Sequence, residues 1–589
     1  MSAGENGRSI PLRSQGWFGP RTVAGMLHRA SVKAEGFSQV ALDGRPVIGI
    51  CNSWSELVHC NVHLRGLATA VKRGVLLAGG LPLEFPTISL SENLMKPSTM
   101  LYRNLMSMDV EESIRSHPLD AVVLLASCDK TVPAQLMGAA SAGIPAIMLT
   151  GGPSQPAFYR GRELGVGTDL WKYTAEYRAG AITQGEYEDL EAAMIPSYGH
   201  CNELGTASTM AAVVEAIGMS LTGSAAIPAV DARRRAAAEQ TGRRAVELAV
   251  AGVKPGAILT PGAFDNAITV LMAMGGSTNA VVHLLALAGR VGVSLDLERF
   301  DEISRRTPML ANLRPSGEYL FEDLFRHGGV PVLMRELRPL LDEDVTLISG
   351  ERLGDALDRV SAGADGDVVA PLSSPRHPDG GIVVLRGNLA PDGAVIKKSV
   401  ASPSLLSHAG PAVVFEDIND LDARIDDPDL AVEPDSVLVL RNGGPLGAPG
   451  FPEWGMIPIP RKLLEVGVRD MVRISDSRMS GTGFGTVVLH IAPEAAAGGP
   501  LAIVRDGDIV SLDVEGRRID VELSDEEIAR RLADSPPARR HYERGYGALY
   551  AEHVTQADTG ADFDFLAGIP GEEPDSEPRG LLTGWIAGW

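Results

Sequence analysis

The sequence predicts a two-domain protein: an α/β domain with a parallel sheet flanked by helices, then a β-rich, barrel-like domain. Three observations carry this reading. Short apolar runs alternate with amphipathic stretches through the first two-thirds of the chain, the pattern of strand–helix–strand units. A stretch rich in Gly, Asp, Pro and Ser, from Ser361 to Gly381, interrupts that alternation. Beyond it the apolar runs are short, β-branched and separated by turn residues. At 589 residues the chain is also too long for one ordinary domain. The expected division is residues 1–370 for the α/β domain and 371–589 for the β-rich domain.

Taken in order, Pro46 to Cys51 reads as a buried strand followed by a polar loop. A helix follows from about Val62 to Leu77, with Leu64, Leu67, Ala68, Val71 and Val75 on one face and Gly79-Gly80 as its stop. Leu83 to Ile88 and Ala121 to Ala126 read as two further strands. A small-residue helix then runs to Gly143, before a fourth strand at Ala146 to Leu149. Long helices are expected at Thr206–Leu221 and Arg233–Ala251. In the second domain Ile382–Leu385, Ala412–Phe415, Val437–Leu440 and Leu501–Val504 read as strands. Asp506-Gly507 and Glu515-Gly516 have the composition of hairpin turns. Ser524-x-x-Glu527 is a capping box that opens a helix.

Composition excludes several classes of partner. The formal charge of −22 repels nucleic acid and anionic membrane surfaces. The same field repels an anionic substrate, so a small carboxylic acid would need local help from a cation. No apolar run is long enough to span a bilayer, and Met1 to Pro20 lacks the apolar core of a signal peptide. The expected location is the cytoplasm.

Four cysteines occur, at positions 51, 60, 128 and 201. In a reducing compartment they are free, catalytic or metal-bound. Cys60, Cys128 and Cys201 each lie just after a predicted strand or just before a helix. In an open parallel sheet those positions gather at the carboxyl edge, where ligands bind. Three thiolates could meet there on an iron–sulfur cluster. Spacing alone also allows a zinc site or three unrelated buried thiols. The flanking residues add weight: Asp129 and Lys130 follow Cys128 at the end of a wholly apolar strand, and Glu92 closes Ser89-Leu-Ser-Glu92 after another. Carboxylates beside thiolates suit a hard ion such as magnesium, although a Lys130 salt bridge to Asp129 or Glu92 explains the same residues. Gly275-Gly-Ser-Thr-Asn279 opens an apolar helix, where capping and close packing explain the pattern.

Four motifs in order make a resemblance specific: Cys128-Asp-Lys-Thr131, Gly205-Thr-Ala-Ser-Thr-Met210, Gly275-Gly-Ser-Thr-Asn-Ala280 and Ser480-Gly-Thr482. Together they resemble the dihydroxy-acid and sugar-acid dehydratases, from about Arg13 to Leu566. Ile474 to Thr482, Val487 to His490 and Ala557 to Phe565 are most similar to the pentonate, L-arabinonate-type branch. The resemblance implies a 2Fe–2S cluster on Cys60, Cys128 and Cys201, with Cys51 left as a strand residue. It implies Mg2+ at Glu92, Asp129, Glu453 and a carbamylated Lys130. It names Ser480 as the catalytic base, with the Gly481 and Thr482 amides placed to stabilise its alkoxide; His490 is the alternative base. A homodimer or homotetramer is implied as well. Two departures stand out: His-Cys-Asn-Glu-Leu-Gly around Cys201, and Pro445 to Gly455 around Glu453. The first keeps the ligand, while the second bears on the substrate.

The reaction implied is loss of water from a sugar acid, an aldonate such as a pentonate or hexonate, to give the 2-keto-3-deoxy acid. Within the family the alternative is the dihydroxy-acid dehydratase of branched-chain amino-acid synthesis, which a more apolar pocket would favour. Outside it, an electron-transfer protein would not need the carboxylates. A zinc hydrolase would use the thiolates without iron, and a simple binding protein has no use for Ser480 beside a full ligand set.

Overall fold

The computed structural model describes residues 11–534 and 541–568. The first ten residues of the expected leaderless start lie outside them. Strands β1 (Val47–Asn52), β2 (Leu81–Pro86), β3 (Ala121–Ala126) and β4 (Ala146–Thr150) form one parallel sheet in the order β2-β1-β3-β4. Every residue of β1 and β3 is buried, as expected of a sheet covered on both faces. Helices Leu64–Leu77, Arg103–Arg115 and Thr131–Ala142 make the successive crossovers. The chain moves outward from β1 to β2 and then returns past it to β3. The loops leaving β1 and β3 therefore part in opposite directions and open a crevice at the carboxyl edge.

Boundaries moved by small amounts for local reasons. β2 lies two residues before the expected strand. The helix that opens at Thr206 stops at Ala216, because Gly218 takes a left-handed φ of 88° that breaks the helical ladder. After β4 comes a short antiparallel pair, β5 (Ala157–Tyr159) and β6 (Arg162–Leu164). Two helices follow, Thr168–Arg178 and Gln184–Met194. None of these was read from the sequence.

The second sheet is a closed barrel. Its strands are β7 (Val383–Gly387), β8 (Ala390–Ile396), β9 (Ser407–Phe415), β10 (Val437–Leu440), β11 (Arg473–Ser475), β12 (Val487–Ala492), β13 (Ile509–Asp513) and β14 (Arg518–Val521). They close in the order β10-β11-β12-β8-β7-β14-β13-β9. Period-two alternation fills both sides. Val414, Val437 and Val439 point into one apolar cluster with Ile474 and Val488. Val413, Phe415, Leu438 and Leu440 point into another, with Leu421 and Leu464 from neighbouring helices.

Three local expectations need correction. Leu501–Val504 is not a strand: residues Pro500–Ile503 form a 3-10 turn, with Pro500 at its first position, where its missing N–H costs nothing. Asp506-Gly507 therefore does not join two strands, whereas Glu515-Gly516 does turn β13 into β14. The Ser524 hydroxyl caps its helix by accepting from Glu527 N–H, but the Glu527 carboxylate pairs with Arg530 and Arg531 and does not close the box. Among the described residues no helix is long and apolar enough to cross a membrane.

Helix Leu64–Leu77 packs closely on helix Ala232–Ala251, and glycine makes this possible. A methyl group on Gly74 would run into the Glu239 carbonyl, and one on Gly242 into that of Val71. Gly66, on the exposed side of the same pair, faces open space. Helix propensity favours alanine over glycine by about 1 kcal/mol, whereas overpacking costs about 1–3 kcal/mol. Gly242→Ala should therefore lower the thermal unfolding midpoint, while Gly66→Ala should hold or raise it. Equal shifts in the two variants would show that backbone propensity, not contact, decides.

Candidate active site

The loops that leave the sheet are tied together before any reactive group is considered. Asn61, after β1, accepts a hydrogen bond from the Cys128 amide at 3.2 Å. Its amide nitrogen donates to Ser53 O at 3.0 Å and Ser89 Oγ at 3.1 Å. One buried side chain thus couples the ends of β1, β2 and β3.

A cavity of about 530 Å³ opens at this edge. Cys60, Cys128, Cys201, Glu92, Asp129, Glu453 and Ser480 all line it. Cys51 lies apart in β1, fully buried, with its thiol toward Thr87. The four cysteines are free thiols. Cys60 and Cys128 pack together with Val58, and His59 Nε2 stands 3.4 Å from Cys60 Sγ. The hydrogen bond to Cys128, followed by burial and nearby negative charge, pushes the Cys60 thiol well above its usual range. Burial, followed by Asp129 and Glu203, does the same to Cys201. These thiols hold their protons until a soft cation displaces them.

Beside them Lys130 is completely buried. Its Nζ lies 2.7 Å from Glu92 Oε1, 2.9 Å from Glu453 Oε1 and 3.6 Å from Asp129 Oδ2. Burial and Arg478 oppose the ammonium, but the three carboxylates outweigh them, and its pKa lies above the ordinary value. Asp129 is pushed up to about 7, chiefly by burial. Desolvation pushes the half-buried Glu453 the same way, yet Lys130 and Arg478 draw it down to about 2. Its Oε1 accepts from three donors: Lys130, Asn279 Nδ2 at 2.9 Å and Arg478 Nη1 at 2.8 Å. Arg478 also donates to Asn279 Oδ1 at 3.0 Å and to Phe451 O at 2.7 Å. Glu92 accepts a further bond from Thr99 Oγ1.

Ser480 sits on a tight turn. Its Oγ is 3.0 Å from Thr482 Oγ1 and accepts from the Thr482 N–H at 3.4 Å. Gly481 is required at the centre: a Cβ there would stand 2.6 Å from Thr206 N and 2.9 Å from Ser277 Cβ. Thr206 Oγ1 in turn meets Ser277 Oγ at 2.8 Å and accepts from Asn279 at 3.0 Å. Motifs near residues 206, 277 and 481, far apart in sequence, are therefore one packed unit under the cavity floor.

His490 does not line the cavity. It takes a left-handed φ of 56°, is packed against Phe451, and burial holds its pKa down at about 3. His200 lines the cavity, but its Nδ1 is spent on Cys201 O and Ser208 Oγ. The sequence motifs do not mark Asn61, Arg478 or the orienting role of Asn279. Arg478, a lone cation between apolar and small residues in Ile474 to Thr482, was the available signal.

The donor set fits the groups expected of it: three reduced thiols, two buried and that of Cys201 half-buried, for a soft cluster, and three carboxylates for a hard ion. Among the described residues no three such side chains grip an ion as they stand. For the carboxylates the physical reason is Lys130, whose ammonium lies among them.

The description dihydroxy-acid/6-phosphogluconate dehydratase, N-terminal, matches residues 45–356, and its C-terminal counterpart matches residues 367–561. The chain belongs to this dehydratase family and is a hydro-lyase. Among its relatives, it is 51% identical over 562 residues to the L-arabinonate dehydratase of Rhizobium leguminosarum bv. trifolii (95% of this chain, 97% of that protein). It is 50% identical over 574 residues to the L-arabonate dehydratase of Azospirillum brasilense (96% and 98%). A 6-deoxy-6-sulfo-D-gluconate dehydratase of Pseudomonas putida is 48% identical over 567 residues (96% and 98%).

Proposed function

We propose that the enzyme dehydrates an aldonic acid with an uncharged tail to the 2-keto-3-deoxy acid. The observation that carries the choice is the cavity's ionisable lining. Glu92, Asp129, Glu191 and Glu453 line it, with no lysine or arginine among the lining residues. Lys130 and Arg478 stand behind the carboxylates. A phosphate or sulfonate at the far end of the substrate would meet no lysine or arginine in the lining, although Lys172 stands 5.5 Å from the Tyr173 ring outside it. The tail would lie instead against Trp171, Tyr173 and Tyr187, whose ring faces suit the C–H faces of a sugar chain.

Cys60, Cys128 and Cys201 are the residues to hold a 2Fe–2S cluster. Glu92, Asp129, Glu453 and a carbamylated Lys130 are those to hold Mg2+. When bound, the two supply Lewis acidity to the substrate's carboxylate and hydroxyl oxygens. The remaining work falls to side chains. Asn279 and Arg478 fix Glu453, so that its orientation does not depend on substrate. Ser480 Oγ, having first lost its own proton to solvent, takes the proton from C2 as an alkoxide and returns to the hydroxyl; the Thr482 N–H and hydroxyl beside it stabilise the alkoxide before that transfer. Loss of hydroxide from C3 and one proton from C2 removes water, and the enol left behind tautomerises to the keto acid. Carbamylation requires a neutral amine at Lys130, which the three carboxylates oppose. The modification should therefore depend on magnesium loading.

A second reading has one observation in its favour. Leu170, Leu190, Met194 and Ile195 make part of the wall apolar, which suits a short branched dihydroxy acid. A panel of pentonates, hexonates, a 6-phosphohexonate and 2,3-dihydroxyisovalerate, assayed for 2-keto acid, separates the two. We expect an unsubstituted aldonate to have the highest kcat/KM. Preference for the branched acid or the phosphorylated one would replace the proposal.

Two variant sets test the assignments. Protein purified without oxygen should carry about two irons and two labile sulfides per chain. Cys60→Ser, Cys128→Ser and Cys201→Ser should each lose them together with activity, while Cys51→Ser keeps both. One zinc per chain without sulfide would reject the cluster. Ser480→Ala should retain metal and substrate binding yet turn over at least ~10²-fold more slowly, the lower end for loss of a general base. Solvent exchange at C2 should vanish with it. Near-normal turnover would remove Ser480 from the role.

A further inference from the structure

Lys397, the residue after β8, is 1% exposed. Its Nζ donates to the carbonyl of Gly481 at 2.9 Å. Taking an ammonium out of water to satisfy a neutral carbonyl is costly, because any uncharged donor would serve that oxygen. The neighbouring Lys398 does the ordinary thing and pairs with Asp379 at 2.7 Å in a partly exposed position. Lys397 is therefore held in the interior for something other than an ion pair.

The carbonyl it holds explains why. Gly481 C=O and Thr482 N–H are the two ends of one peptide group. Lys397 binds the oxygen end, and the hydrogen end points at Ser480 Oγ at 3.4 Å. A cation on the oxygen polarises the whole peptide and makes its N–H a stronger donor. The surroundings leave this peptide little freedom. Gly481 is wedged against Thr206 and Ser277, and Gly485 N–H is bonded to Val400 O at 2.9 Å. On the far side Gly167 touches Thr482, and Glu203 accepts bonds from the Gly167 amide, the Thr168 amide at 2.8 Å and Thr168 Oγ1 at 2.6 Å.

We propose that Lys397 is a positioning residue for the reaction: by holding the Gly481–Thr482 peptide it aims and charges the amide that stabilises the Ser480 alkoxide. This rests on the reading of Ser480 as the base. Burial lowers the Lys397 pKa to about 7, and Glu203 is the carboxylate that opposes the shift. The group is thus poised to carry its charge when negative charge develops nearby.

The test uses the metal-loaded enzyme with L-arabinonate, and amide hydrogen exchange of the enzyme without substrate. Lys397→Met removes donor and charge. Exchange in residues 480–483 should speed at least ~10-fold, and kcat should fall at least ~10-fold, short of the ~10²–10³ for loss of a whole oxyanion donor. KM should stay within about threefold, since the lysine does not touch substrate. Lys397→Gln keeps a donor on a chain one atom shorter and should recover part of both losses. Normal exchange with normal kcat in Lys397→Met would overturn the proposal, as would a kcat loss with the turn fully protected. If the methionine variant does not fold, the glutamine variant decides. Partial protection with a modest kcat loss supports the role, and a large loss with wild-type protection rejects it. Normal turnover in Ser480→Ala would remove the base alone. The exchange result for Lys397 would then still report whether the lysine holds the turn.

Discussion

A positive charge with no access to water sits where the two halves of the molecule meet. Lys130 is placed at the end of β3, and each of the three carboxylates around it comes from a different part of the chain. Glu92 arrives after β2, Asp129 is its own neighbour, and Glu453 comes from the loop between β10 and β11. Removing one partner from a buried pair costs about 3–5 kcal/mol, because it strands the other charge. Electrostatics thus makes each of these partners, from sheet and barrel alike, dependent on the others. Arg478 adds a second buried cation on Glu453, and Asn279 fixes the distance between them.

The cavity lining combines acidic groups and thiols with apolar and aromatic residues of helices Thr168–Arg178 and Gln184–Met194. An anionic substrate entering a chain of net charge −22 finds no lysine or arginine among the lining residues to meet it. In the proposed function, attraction is the part assigned to cations held by the carboxylates and thiols. The carboxylates and thiols that repel an anion are also the donor types that suit hard and soft metals respectively.

The turn at residues 480–482 shows how far apart the supporting parts can be. Its glycine is demanded by Thr206 and Ser277, its carbonyl is held by Lys397, and its threonine is backed by Gly167. A serine hydroxyl is a poor base in water. In the proposed role the Thr482 amide and hydroxyl lower the cost of negative charge on it, and the packing around Gly481 restricts its geometry.

The sheet strands were legible because burial on both faces writes continuous apolar runs, and β1 and β3 appeared within a residue of their expected limits. The barrel strands were legible for their alternation, except where Pro500 turned an apolar run into a 3-10 segment. The order of motifs was enough to define the family, and the cysteines, carboxylates and Ser480 singled out from sequence all reach one cavity. What sequence could not supply was the set of groups that hold them. Asn61, Asn279, Arg478 and Lys397 act through partners up to 200 residues away. Nor could it supply the apolar wall, since β5, β6 and the two helices after them lack a strong periodic signal. Local spacing encodes which residues carry the chemistry. The direction of each side chain, and whether an ion pair or an orphan charge results, depends on long-range contacts that exist only once the chain has folded.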